Sequence, residues 1–131
     1  MVGLVLVTHA GLARELLAAA EMIVGKIEKA EVVGIAPGDE VDGMRAALTS
    51  AIGKVSGDGV MIMTDMFGGT PSNMSLSFLE DGRVEVMTGV NLPMLIKFAG
   101  ERGKWTLAEL ARMLRECGRE GILVAGEYLK K

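Results

Sequence analysis

Apolar residues in this chain gather in four short runs, separated by stretches where they recur every three or four positions. Residues 2–7 (VGLVLV) are nearly all apolar and 60–63 (VMIM) wholly so, while 32–35 and 84–87 are shorter or more mixed. Continuous apolar runs of this length suit strands buried on both faces, as in a parallel sheet covered by helices. Between them, Leu12, Leu16, Leu17, Ala20, Ile23 and Val24 keep helical spacing, with Gly25 as the expected stop. Val41, Met44, Leu48 and Ile52 do the same after Asp39, the expected N-cap. Further helices are predicted from Pro71 to about residue 79, over 93–100 and over 107–115. Pro71 sits near the first turn of one, Asp81-Gly82 makes the turn after it, and Thr106 with Glu109 forms a candidate capping box. Gly118, Gly121 and Gly126 interrupt the tail, where 122–125 reads either as a last strand or as continued helix. If that segment is not helical, it is an apolar stretch in need of a partner surface, such as another subunit.

This alternation predicts a doubly wound, three-layer α/β/α domain with a mostly parallel sheet. No linker or repeat divides the 131 residues, so a single domain over 1–131 is expected. Half the residues are apolar and 24% charged, which supplies a core and excludes overall disorder. Mean hydropathy is +0.36, yet no apolar run approaches the roughly 18 residues of a membrane span. The first run lacks a basic region before it and stops at Thr8-His9, unlike a secretory leader. A net charge of −3 and an aromatic content of 4% argue against nucleic-acid binding. One cysteine, Cys117, excludes an internal disulfide and a multi-cysteine metal site, and fits a reduced cytoplasmic compartment.

In open α/β sheets the ligand crevice lies beyond the C-terminal strand ends, where strand order reverses. The first strand runs into Thr8-His9-Ala10-Gly11 and the third into Thr64-Asp65-Met66-Phe67-Gly68-Gly69-Thr70-Pro71. If these two strands flank the switch point, the chain's single histidine, His9, faces Asp65. A carboxylate that accepts one ring N–H fixes the tautomer and leaves the other nitrogen a nucleophile near neutral pH. From position alone, a histidine that merely bonds backbone at a strand end is an equal reading. The segment Gly68-Gly69-Thr70-Pro71-Ser72-Asn73 adds to the first: its glycines permit close backbone approach, and a helix starting at Pro71 offers free amides to an oxyanion. Thr70 and Ser72 supply hydroxyls, so a phosphoryl group on His9 would find donors without a metal or cofactor.

Other motifs are missing. There is no G-x-x-x-x-G-K-[ST], no G-x-G-x-x-G after the first strand, and no G-x-S-x-G elbow. The methionines read mostly as core fillers, and Trp105 as a packing residue. Lys104, Arg112, Arg115 and Arg119 read as a solvated face. Met66 and Phe67 stand beside the candidate site, equally suited to docking a partner and to local packing.

With His9, TDMFGGTPSN (64–73) and GVNLPML (89–95) in view, the sequence resembles the IIA component of the mannose-type sugar phosphotransferase system. The resemblance spans essentially the whole chain. It implies strand order 2-1-3-4, with a final antiparallel strand exchanged between subunits of a homodimer. It also implies a phosphohistidine carrier: His9 accepts a phosphoryl group from the carrier HPr and hands it to a IIB component. Asp65 matches the carboxylate that orients the imidazole, and the loop of Gly68, Gly69 and Thr70 cradles the phosphoryl oxygens. Met66 and Phe67 fall in the partner-facing loop, where many relatives carry Trp at the Phe67 position. Asn91 and Pro93 lie near the same crevice. Two alternatives share the fold: a stand-alone regulatory protein-binding module, and the phosphotransfer subunit of dihydroxyacetone kinase.

Overall fold

The computed structural model describes residues 1–130. Strands β1 (Gly3–His9), β2 (Ala30–Ile35), β3 (Val60–Thr64) and β4 (Val84–Thr88) alternate with helices α1 (Leu12–Val24), α2 (Val41–Val55), α3 (Thr70–Leu76) and α4 (Leu92–Glu101). The longer α5 (Leu107–Glu120) and the single-turn α6 (Ala125–Tyr128) follow. All strand pairs are parallel and the order is β2-β1-β3-β4, the doubly wound sheet expected from the alternation.

Strand periodicity divides the interior into two cores. Leu4, Leu6, Met61 and Met63 point to one face, under Ala13, Ala20, Leu95, Phe98, Leu110 and Leu114. Val5, Val7, Val60 and Ile62 point to the other, under Met44, Leu48, Val55 and Met74. The central strands β1 and β3 are therefore apolar on both sides, which is why their runs are unbroken. β4 is only half-buried along its length and, among the described residues, pairs in the sheet with β3 alone. No helix among the described residues is long and apolar enough to cross a membrane.

Several local expectations hold. Gly25 ends α1 at φ +84° with its N–H on Glu21 O, and Thr106 and Glu109 form both bonds of the capping box on α5. Others change. Asp39 does not cap α2: its carboxylate accepts the Ala36 N–H at 2.8 Å, tightening the preceding turn, and the N-cap is Glu40. α3 stops at Leu76, short of residue 79, and α5 runs past Arg115 to Glu120. Gly118 lies within α5 and faces α4; a Cβ on it would meet Met94 Cε at 2.9 Å. Trp105 is partly exposed rather than packed, with its indole N–H on Glu101. Met44, Met61, Met63, Met74 and Met94 are buried in the two cores as expected of the methionines, and Met22, the most exposed of the large apolar residues, is an exception. Residues 122–124 form neither strand nor continued helix, and Ile122, Leu123 and Val124 are exposed. Among the described residues they pair with no strand of the sheet, whose edge on that side is β4.

Candidate functional site

His9 ends β1 and Asp65 follows β3 directly. These strands are adjacent, with β2 outside one and β4 outside the other. The chain order reverses between them, so both residues stand at the switch point of the sheet.

The contact is close and has more than one bond. His9 Nδ1 donates to Asp65 Oδ2 at 2.8 Å, and the His9 backbone N–H donates to the same oxygen at 3.0 Å. Asp65 Oδ1 accepts the Met66 N–H at 3.1 Å. An ionised carboxylate only accepts, so in the neutral imidazole the ring proton sits on Nδ1 and the lone pair on Nε2. The His9 side chain is 49% exposed and that of Asp65 13%. Burial pushes the Asp65 pKa up, but the side-chain and backbone hydrogen bonds from His9, and the nearness of its ring, outweigh this and hold it below its ordinary value.

The loop after Asp65 comes up to the ring. Gly68 turns in the left-handed region at φ +95°, and Gly69 passes so close that a Cβ on it would stand 2.8 Å from His9 Cε1 and 3.1 Å from Nε2. A side chain at this position would have to push the imidazole aside. Gly69 is the N-cap of α3, Pro71 lies in its first turn, and the Thr70 amide has no preceding intrahelical acceptor. Thr70 is exposed, whereas Ser72 is fully buried with no hydrogen-bond partner for its hydroxyl. Ser72 thus drops out of the expected set of surface donors: the turn of α3 that lifts Thr70 outward directs Ser72 into the fold.

Met66 and Phe67 are exposed beside the site. Asn91 and Pro93 are engaged internally. Asn91 Oδ1 accepts the Met94 N–H, capping α4, and its amide donates to Gly118 O at 2.9 Å. Pro93 lies against Gly121, where a Cβ would meet its ring at 2.7 Å. Cys117 is half-buried, with its thiol directed at Pro93 O. Thr8 also contributes to the site. Thr8, fully buried, accepts the Ala13 N–H on its hydroxyl at 2.7 Å, capping α1 where Gly11 has no side chain to do so. A Thr just before the histidine and five residues before that amide was the only signal.

A family model described as "PTS system fructose IIA component", EIIA-man, matches residues 3–114. The chain belongs to this family. It is 31% identical over 124 residues to the mannose-specific EIIAB component of the phosphotransferase system of Escherichia coli strain K12, which covers 92% of this chain. The match spans 38% of that relative, so the chain corresponds to about two fifths of the longer curated proteins it resembles. Among solved structures, the mannose/sorbose-specific IIA subunit from Enterococcus faecalis superposes with a TM-score of 0.84 at 29% identity, covering 94% of this chain and 93% of that one. The EIIA component from Streptococcus agalactiae shares the fold, with a TM-score of 0.88 at 24% identity over 97% and 99% of the two chains. The IIA family is thus the setting in which the His9–Asp65 pair is to be understood.

Proposed function

We propose that this chain is a phosphohistidine carrier of a sugar phosphotransferase system, accepting a phosphoryl group on His9 from HPr and passing it to a IIB component. The observation that supports this best is the bond from His9 Nδ1 to Asp65. In the neutral imidazole, Nδ1–H given to Asp65 leaves the lone pair on Nε2 of a half-exposed ring, so no base is needed to free it.

In the proposed step, Nε2 attacks phosphorus in line as the donor's own N–P bond breaks, and the donor imidazole leaves with that electron pair. No proton has to move. The product ring keeps Nδ1–H and is positively charged, a charge that Asp65 offsets. The phosphoryl oxygens turn toward the amides of Gly68, Gly69 and Thr70 and the Thr70 hydroxyl. Such transfer depends chiefly on positioning and charge stabilisation, and an exposed site keeps the adduct reachable for onward transfer. Met66 and Phe67 supply apolar area for the docked partner, while Asn91 and Pro93 hold the loop after β4 against α5.

In the same reading the chain is one mannose-type IIA domain over 1–131. It works in the cytoplasm, meets the membrane only through permease components, and is a homodimer. The open edge of β4 borders a groove of about 390 Å³ lined by Glu85, Thr88, Ala108 and Arg112 among others. Ile122, Leu123 and Val124 lie uncovered on the tail. An exchanged antiparallel strand would satisfy both.

The test is incubation with phosphorylated HPr. Wild type is expected to gain the mass of one phosphoryl group in an acid-labile, alkali-stable adduct that His9→Ala cannot form. A wild-type protein that gains no mass refutes the proposal.

A further inference from the structure

The turn that carries His9 out of β1 rests on two residues the chemistry above does not use. Ala10 has φ +50°, and among the described residues only it and Lys29 are non-glycine residues at positive φ. Alanine keeps this conformation where its surroundings impose it. The Ala10 N–H donates to Ile35 O at 2.8 Å, one step past the His9–Ile35 pair of the β1–β2 ladder. Its carbonyl lies directly over Gly34. A Cβ on Gly34 would stand 2.4 Å from Ala10 O and 3.4 Å from Ala10 C, with nothing else inside 4 Å.

Gly34 is exposed, and its backbone is not in the left-handed region. Neither core packing nor φ calls for glycine at this position; the Ala10 carbonyl alone does. Strand alternation explains the crossing. Thr8 pairs with Gly34 on the face covered by α1, where the Thr8 hydroxyl holds the Ala13 amide. To enter α1 the chain has to pass over the end of β2 on that face, and it does so at Gly34.

We infer that Gly34, outside the site and touching no substrate, is a positioning residue for phosphoryl transfer. Its missing side chain lets Ala10 close left-handed over β2, which holds the His9 backbone where its N–H and its Nδ1–H reach the same oxygen of Asp65. The effect on rate rests on the carrier reading; the effect on the imidazole does not.

Gly34→Ala puts a methyl into the Ala10 carbonyl, so the turn has to open. Ala10→Val strikes the same contact from the other side, because β-branched residues resist positive φ. Nitrogen NMR of the His9 ring distinguishes the Nδ1–H from the Nε2–H tautomer, and uptake from phosphorylated HPr gives the rate. Both variants are expected to show mixed tautomers and uptake slowed roughly 10- to 100-fold, with the circular dichroism of a folded chain. Gly53→Ala in α2, where a methyl meets nothing within 4 Å, is the control expected to keep wild-type values. Should Gly34→Ala not fold, Ala10→Val decides alone. An unchanged Nδ1–H tautomer in the folded variants overturns the inference. Failure of wild type to take up a phosphoryl group overturns the carrier reading instead, and the tautomer result still stands.

Discussion

Three N–H groups converge on the carboxylate of Asp65: the imidazole Nδ1–H and backbone N–H of His9 on one oxygen, and the Met66 amide on the other. An asparagine there offers one acceptor oxygen in place of two, so at least one donor is left facing an NH₂. Asp65→Asn is therefore expected to slow phosphoryl uptake roughly 10- to 100-fold, the value of a charge-assisted bond, and to lower stability by about 1–3 kcal/mol. Uptake at the wild-type rate would show that the carboxylate does not act on the ring. The same residue sets a pH dependence. Its folded pKa is lowered, because hydrogen bonds from His9 outweigh the opposing effect of burial. Its contribution to stability is thus complete above the ordinary Asp value of about 3.9 and lost as the pH falls through the lower folded value. Urea unfolding followed from pH 6 downward should show wild type losing more stability over this range than Asp65→Asn; parallel curves would contradict the shift.

At the scale of elements, the loop after β4 is held by Asn91, which caps α4 through Met94 and binds α5 through Gly118 O. The two helices approach closely enough that Gly118 and Gly121 have no room for a side chain against Met94 and Pro93. Removing the side chain deletes a cap, at a cost of about 1 kcal/mol, and leaves the Gly118 carbonyl without its donor, at about 1 kcal/mol more. Asn91→Ala is expected to lose about 2 kcal/mol in denaturant unfolding. A loss below about 0.5 kcal/mol, the level of ordinary surface changes, would mean that Asn91 is free for docking rather than engaged in the fold.

For the molecule as a whole, the sheet is covered on both faces but open along β4, and the tail presents Ile122, Leu123, Val124 and Leu129 to solvent. In the homodimer proposed above, this apolar area is the surface that the partner covers. Ending the chain after Gly121 is expected to convert a dimer into a monomer in light scattering while the parallel sheet persists; a full-length protein that is already monomeric at micromolar concentration would refute the exchange. Far from this edge, Arg102 is buried among the Val2 and Lys29 carbonyls and over the Phe98 ring, a tie that no local pattern predicts. What the sequence determined by itself was set by periodicity and local chemistry: two-faced apolar runs for β1 and β3, helical spacing between them, the stop at Gly25, the capping box at Thr106, and the placing of His9 and Asp65 at two strand ends. These depend on neighbours a few residues apart. Only the tertiary structure decided that Ser72 turns inward, that Asn91 and Pro93 are engaged by α5, that Gly69 lies under the imidazole and that Gly34 yields to the Ala10 carbonyl. Each of those is a contact between elements, fixed by how closely two backbones approach once the strands are in register, and spacing along the chain carries no record of that distance.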